Sequence, residues 1–408
     1  MTIHTKWMEL LRVEASDSFH HELGPGVVEA SFIDGQIKLM KGDSIQTWSH
    51  FIYSQFTSLI NRHFRDYGCK TVVLAFDDRR HVPRAKAITQ LKRRSGVQII
   101  EFTEMDILPN DIPSGWKEAI MNQCFRNRVI EMVCANVPRL IEPPASGCAL
   151  VVDWLEVREY RYSADSSEPV ETVLSSSVYG ETAIGEADIK FAFWMRNLQC
   201  PMLIEATDGD YIPIALGLKT CEFQAPVWIL KAWKATTGYE YIDIDGVYSF
   251  LQQKFTRASR GRQCCPWWEI KLFITLLGLT GTDFTRNLPL ISPQRMWDNL
   301  PLIIQTFDME TSDTISMSQG KRIVELLYAE AFPKHIDSFF ARSSVWQQAQ
   351  GSKLSARTKA LIPTDKRIVC TLKNLNFLLA YWLRSHVPEA NEEYGFRENS
   401  GGVLGWAD

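Results

Sequence analysis

The sequence predicts an α/β protein built on a mostly parallel sheet flanked by helices. Two observations carry this. Short continuous apolar runs, "TVVLAFDD" (71–78), "CALVVDW" (148–154), "PMLIEATD" (201–208) and "APVWILKAW" (225–233), read as buried strands. Stretches of helical periodicity, such as "EADIKFAFWMRNL", lie between several of them. Three runs end in acid: Asp77-Asp78, Asp153, and Asp208 with Asp210. In such sheets ligands sit outside the carboxyl ends of the strands, so chemistry is expected at that edge.

Taken in order, "QTWSHFIYSQFTSLINRHF" (46–64) places Trp48, Phe51, Ile52, Phe56, Leu59, Ile60 and Phe64 at helical spacing ahead of the first run. Residues 95–146 carry Pro109, Pro113, Pro138 and Pro143-Pro144 around one helical stretch, and read as an insertion. The polar, serine-rich "RYSADSSEPVETVLSSSVYGET" (161–182) is expected to be an exposed loop. Beyond residue 300 the pattern is helical, as in "KRIVELLYAEAF" and "CTLKNLNFLLAYWLRSH". The expected division is a core over 1–300, including the 95–146 insertion, and a helical extension over 301–408.

With 408 residues, 45% of them hydrophobic, the chain can bury a substantial core. Its nine cysteines are scattered without CxxC spacing, and the opening residues lack the basic-then-apolar order of a secretory signal. The expectation is an intracellular, reducing compartment, nuclear or cytoplasmic, a viral origin included. No apolar run approaches the ~20 residues that cross a bilayer, so no membrane role is expected. A net charge of −4 gives no overall attraction to nucleic acid, so local charge decides.

Seven acids stand at the edges of apolar segments: Asp34 in "SFIDGQI", Asp77 in "LAFDDRR", Glu186 and Asp188 in "IGEADIKF", Asp208 and Asp210 in "ATDGDY", and Asp283 in "GLTGTDF". Residues two apart do not share a helix face, so Glu186 and Asp188 converge only if Glu186 stands in or before the first turn, which Gly185 permits. Several carboxylates from different elements are what a pair of Mg2+ or Mn2+ ions requires, because both are hard cations. Glu205, on the opposite pleat from Ile204, is expected to be structural. Basic residues follow Asp78 directly: Arg79, Arg80, Arg84, Lys86, Lys92, Arg93 and Arg94 fall within sixteen residues. Arg84 and Lys86 are the expected electrophiles beside a scissile phosphate. The others would track a phosphate backbone, with salt-dependent binding.

This constellation resembles the flap endonuclease and XPG family of structure-specific 5′ nucleases, whose fold is PIN-like. There an N-terminal Asp, an "FDG" strand end, an "EAE" helix start, a "D-x-D" strand end and a "GxDY" acid form a seven-carboxylate, two-metal centre. Asp34, Asp77, Glu186, Asp188, Asp208, Asp210 and Asp283 match these in order, with Asp188 in place of a Glu. The resemblance makes 95–146 an arch-type insertion above the basic residues, and 267–300 a degenerate helix-hairpin-helix. In that hairpin "LPLISPQRMW" (288–297) keeps Pro293 and Arg295 but lacks the glycines that bring backbone close to phosphate. "PKHIDSFF" (333–340) is a partial sliding-clamp peptide, with Pro333 where the family has Gln.

The resemblance implies a metal-dependent phosphodiesterase, an exo- or endonuclease of DNA repair or replication. Catalysis would fall to Arg84, Lys86, Asp208 and Asp210. Its substrates would be flap, single-stranded or branched DNA, with RNA as an alternative, and the C-terminal extension would serve a protein partner. The competing expectation is a nuclease-derived nucleic-acid-binding or scaffolding protein without catalysis. A nucleotide-binding or phosphatase role is weaker, since no GxxxxGK[ST] phosphate loop is present.

Overall fold

The computed structural model describes residues 3–24, 26–42, 45–78, 80–86, 88, 112–142, 147–166, 168–174, 184–220, 223–232, 239–259, 265–289, 291–306, 313–331, 363–384, 388–399 and 404–407. Its centre is a nine-stranded sheet of β1 (Phe19–His20), β2 (Ala30–Asp34), β3 (Thr71–Ala75), β4 (Ala149–Asp153), β5 (Val157–Arg161), β6 (Val170–Leu174), β7 (Met202–Glu205), β8 (Val227–Ala232) and β9 (Tyr239–Asp243). The strand order is β1-β9-β8-β7-β2-β3-β4-β5-β6. The middle five, β8-β7-β2-β3-β4, are parallel, and antiparallel strands extend both edges. This is the fold class the sequence predicts, and four of the five parallel strands are the four apolar runs.

Strand alternation divides the interior into two layers. Phe32, Val73, Val151 and Ile204 face one apolar layer, covered by helices Ala187–Leu198, Tyr211–Lys219 and Pro266–Leu279. Ile33, Leu74, Val152 and Leu203 face the other, covered by the helical run from Trp48 to Arg65 and by helices Trp116–Met121 and Gln123–Leu140. These last two helices belong to the 95–146 segment, and Trp116 and Phe125 are buried. Residues 89–111 lie outside the described residues. The helix Asp365–Arg384 packs on Tyr211–Lys219, on Pro266–Leu279 and on Met317–Ala331.

One expectation is corrected: the serine-rich stretch contains an ordered edge strand, β6, paired with β5. Four of its five residues are exposed, so its sequence carries no apolar alternation to mark it, whereas β-branched Val170, Thr172 and Val173 suit an extended backbone. Among the described residues no helix is long and apolar enough to cross a membrane.

Chain order sets the location of the site. From β2 the chain steps outward to β3 and β4 on one side, then returns to β7 on the other side of β2. The reversal opens a crevice at the carboxyl ends of β2 and β7, where an open parallel sheet receives its ligand.

Candidate active site

Asp34 ends β2 at that crevice and caps the helix Gly35–Leu39, its Oδ1 accepting from the Gln36 amide at 3.0 Å. Its Oδ2 accepts from the Tyr211 hydroxyl at 3.0 Å. Burial pushes the Asp34 carboxyl up to about 7, helped by the charges of Asp77 and Asp208. Asp77 follows β3 and accepts from the Ala187 amide at 3.0 Å. That bond ties it to the start of the helix bearing the next two acids.

Glu186 stands immediately before helix Ala187–Leu198 with extended backbone, and Asp188 lies in its first turn. The two carboxyls are therefore neighbours, as the spacing requires. Both are buried. Burial raises the Glu186 carboxyl, against the opposing pull of Lys86. Burial and then the Glu186 charge push Asp188 well above the usual carboxylate range. Gly185 makes the approach possible, since a Cβ there would lie on the His81 carbonyl and the Val82 amide. Its own carbonyl accepts from the Asp78 amide at 2.6 Å. Gly185→Ala is expected to cost about 1–3 kcal/mol in urea denaturation, as overpacking against backbone does.

Asp208 is exposed in the loop after β7, and Asp210 is buried at the start of helix Tyr211–Lys219. Burial raises Asp210 far above the ordinary carboxylate range, and the charges of Asp208, Asp283 and Asp188 add to it. Asp283 is buried in the loop following helix Pro266–Leu279. All seven predicted acids thus meet in one continuous, mutually repelling cluster.

Lys86 is a cation within it. Its ammonium pairs with Glu186, and its side chain is 17% exposed. Burial alone would lower its pKa, but Glu186, Asp188 and Asp77 outweigh that and hold it well above the usual lysine value. Arg84 points elsewhere: its exposed guanidinium pairs with Glu398 in the C-terminal hairpin Phe396–Glu398/Leu404–Trp406. Arg80 is drawn to Asp78, with Nε at 2.9 Å and Nη2 at 2.8 Å from its carboxylate, and His81 Nδ1 stands 2.9 Å away. Burial opposes charge on Asp78, but these bonds prevail and lower its pKa. Arg295 lies on helix Pro293–Asp298. Arg79, Lys92, Arg93, Arg94 and the 333–340 peptide lie outside the described residues.

The two other strand-end acids are structural. Asp153 is fully buried against Lys190 Nζ at 2.8 Å and Trp194 Nε1 at 2.7 Å. Glu205 points to the opposite face of the sheet, where Lys38, Arg62 and His63 hold it.

Sequence reasoning missed two tyrosines. Tyr211 follows Asp210 directly, and Tyr381, from helix Asp365–Arg384, donates to Glu186. Periodicity marks Tyr381 as inward-facing, and no local pattern connects it to acids so distant in sequence.

The donor set suits a hard divalent cation: carboxylate oxygens alone, crowded and desolvated, with repulsions that such an ion would relieve. Among the described residues no group of three or more Asp, Glu, His or Cys side chains is arranged to hold an ion as it stands. The chain's own donors engage the acids instead: Tyr211 on Asp34, the Ala187 amide on Asp77, Lys86 and Tyr381 on Glu186.

No family model matches the chain, and no curated protein does. Among solved structures it is similar to the catalytic core of Rad2 in complex with DNA substrate: TM-score 0.44, 13% identity, 95% of this chain and 87% of that one covered. It is also similar to the T5 D15 protein co-crystallised with metal ions, with TM-score 0.36, 15% identity, and 74% and 85% covered.

Proposed function

We propose that this chain is a divalent-metal-dependent phosphodiesterase with a PIN-like fold, a 5′ nuclease of flap endonuclease/XPG type acting on DNA, with RNA as the second candidate. The observation that supports it is the meeting of the seven ordered acids at the switch point of the sheet, with Lys86 among Glu186, Asp188, Asp77 and Asp210.

Asp34, Asp77, Glu186, Asp188, Asp208, Asp210 and Asp283 would hold Mg2+ or Mn2+. When bound, such a pair would supply activation of a water and charge to offset the leaving oxygen of a phosphodiester. The protein's own part is to gather the ligands and present a cation. Tyr211 and the Gln36 amide orient Asp34, and the Ala187 amide orients Asp77. The Lys86 ammonium is poised to bind a non-bridging oxygen of the scissile phosphate. Lys86→Met is expected to slow single-turnover cleavage about 10²–10³-fold, the usual effect of removing one transition-state donor. The remaining basic residues, Arg79, Arg80, Arg84, Lys92, Arg93, Arg94 and Arg295, would contact the nucleic-acid backbone. Arg84 would first have to exchange Glu398 for phosphate. Nuclear or cytoplasmic DNA repair or replication is the setting this activity fits.

The test is cleavage of end-labelled single-stranded, duplex and 5′-flap substrates, as DNA and as RNA, in Mg2+, Mn2+ or EDTA. Cutting that requires the cation supports the reading. The second reading, a nuclease-derived nucleic-acid-binding or scaffolding protein, is favoured by the engagement of the acids by the chain's own donors. Tight binding with no cation-dependent cutting of any substrate would select it, and would turn attention to a protein partner of the C-terminal region.

A further inference from the structure

The helix Asp365–Arg384 buries Tyr381 completely against Tyr211–Lys219 and Pro266–Leu279. A buried tyrosine hydroxyl needs a hydrogen-bond partner, most simply a nearby backbone carbonyl. Tyr381 uses acids of the cluster instead. It donates to Glu186 Oε2 and stands 3.4 Å from Asp188 Oδ1. Its ring meets Phe284, the neighbour of Asp283, with centroids 4.8 Å apart and planes at 51°. It also lies nearly parallel to Phe377 of its own helix, at 6.3 Å and 16°. Phe377 in turn contacts Phe284 at 5.4 Å and Phe396 of the C-terminal hairpin at 5.3 Å. One side chain therefore touches the supports of three acids: two through its hydroxyl, and the third through the ring beside it.

We propose that Tyr381 is a positioning residue of the acid centre. Its hydroxyl holds the Glu186 and Asp188 carboxylates side by side at the start of helix Ala187–Leu198, from where they would close on a divalent cation, so the C-terminal helix is a working part of the site. The proposal rests on the reading of these acids as cation ligands. Ligating carboxylates are themselves held by hydrogen-bonding partners, and loss of such a partner typically costs 10–100-fold in metal affinity.

The probe is Mn2+ alone, titrated into the full chain and followed by loss of the free-ion electron paramagnetic resonance signal. Tyr381→Phe keeps the ring contacts and removes only the hydroxyl. It is expected to weaken Mn2+ binding about 10–100-fold. Phe396→Leu, which loosens the same aromatic stack without touching the hydroxyl, is expected to keep the parental affinity. Equal affinity in the parent and Tyr381→Phe overturns the proposal and leaves the cation reading standing. Equal weakening in both variants assigns Tyr381 to packing and overturns it as well. A parent that binds no Mn2+ removes the cation reading, and the proposal with it. Independently of how Tyr381→Phe folds, 3-fluorotyrosine at position 381 retains the hydroxyl, and its fluorine resonance is expected to shift on saturation with Mg2+. A resonance that does not move overturns the proposal.

Discussion

The double variant Asp208→Asn, Asp210→Asn is expected to lose cation-dependent cleavage by about 10³-fold or more and, in EDTA, to melt at a higher temperature than the parent. Both effects have one cause. Asp210 is buried beside Asp208, Asp283 and Asp188, and burial together with their charges drives its carboxyl far from its ordinary range. In the metal-free protein these charges repel one another. Neutralising two of them removes on the order of 1–3 kcal/mol of unfavourable electrostatics at the effective dielectric of such sites. The same change removes hard oxygen donors, and a bound divalent ion is worth several kcal/mol of transition-state stabilisation, hence the loss in rate. Divalent cations should raise the parent's melting temperature, because they bind the folded state, and leave the variant's unmoved. Retained cation-dependent cutting in the double variant would sink the nuclease reading. A lower melting temperature in EDTA would mean that the chain's own donors already stabilise these carboxylates.

Much of this architecture was legible in the sequence for a simple reason. Strands buried on both faces read as continuous apolar runs, so β3, β4, β7 and β8 announced themselves. The acids that meet at the crevice were visible as a set because each stands at the edge of an apolar segment. Alternation also separated Glu205 from its neighbours, since side chains one residue apart in a strand face opposite ways. Other features left no trace. β6 is exposed, so no burial pattern marks it, and the antiparallel edges β1 and β9 are short or mixed in composition. Which basic residue turns inward was equally hidden: Lys86 enters the acid cluster, while Arg84, two residues earlier, pairs with Glu398. Partners so remote in sequence, like Tyr381 and Glu186, have no local pattern that predicts them.

Glu205→Gln is expected to cost about 3–5 kcal/mol of folding stability at neutral pH, measured by urea denaturation, because removing one member of a buried ionic cluster strands its partners. Glu205 ends β7, is nearly buried, and accepts from Lys38, from Arg62 at 2.7 Å and from His63 Nε2 at 2.9 Å. Burial alone would raise its pKa, but His63, Lys38 and Arg62 together hold it far below its ordinary value of 4.5. His63 is fully buried, and desolvation lowers its pKa from 6.5 against the opposing pull of the Glu205 carboxylate. The direction with pH follows. For both groups the unfolded chain takes up its proton first as pH falls, so stability rises with pH across each interval. The contribution of Glu205 is complete above about 4.5, its ordinary value, and is lost as pH falls through its depressed folded value. His63 begins to withdraw stability below its ordinary 6.5. In Glu205→Gln the carboxylate that favours protonated His63 is gone, so its folded pKa should fall further and the acid-side loss beginning near 6.5 should steepen. A variant as stable as the parent at neutral pH, or one with a flatter acid limb, would show that the cluster of Lys38, Arg62 and His63 is held by packing and not by Glu205.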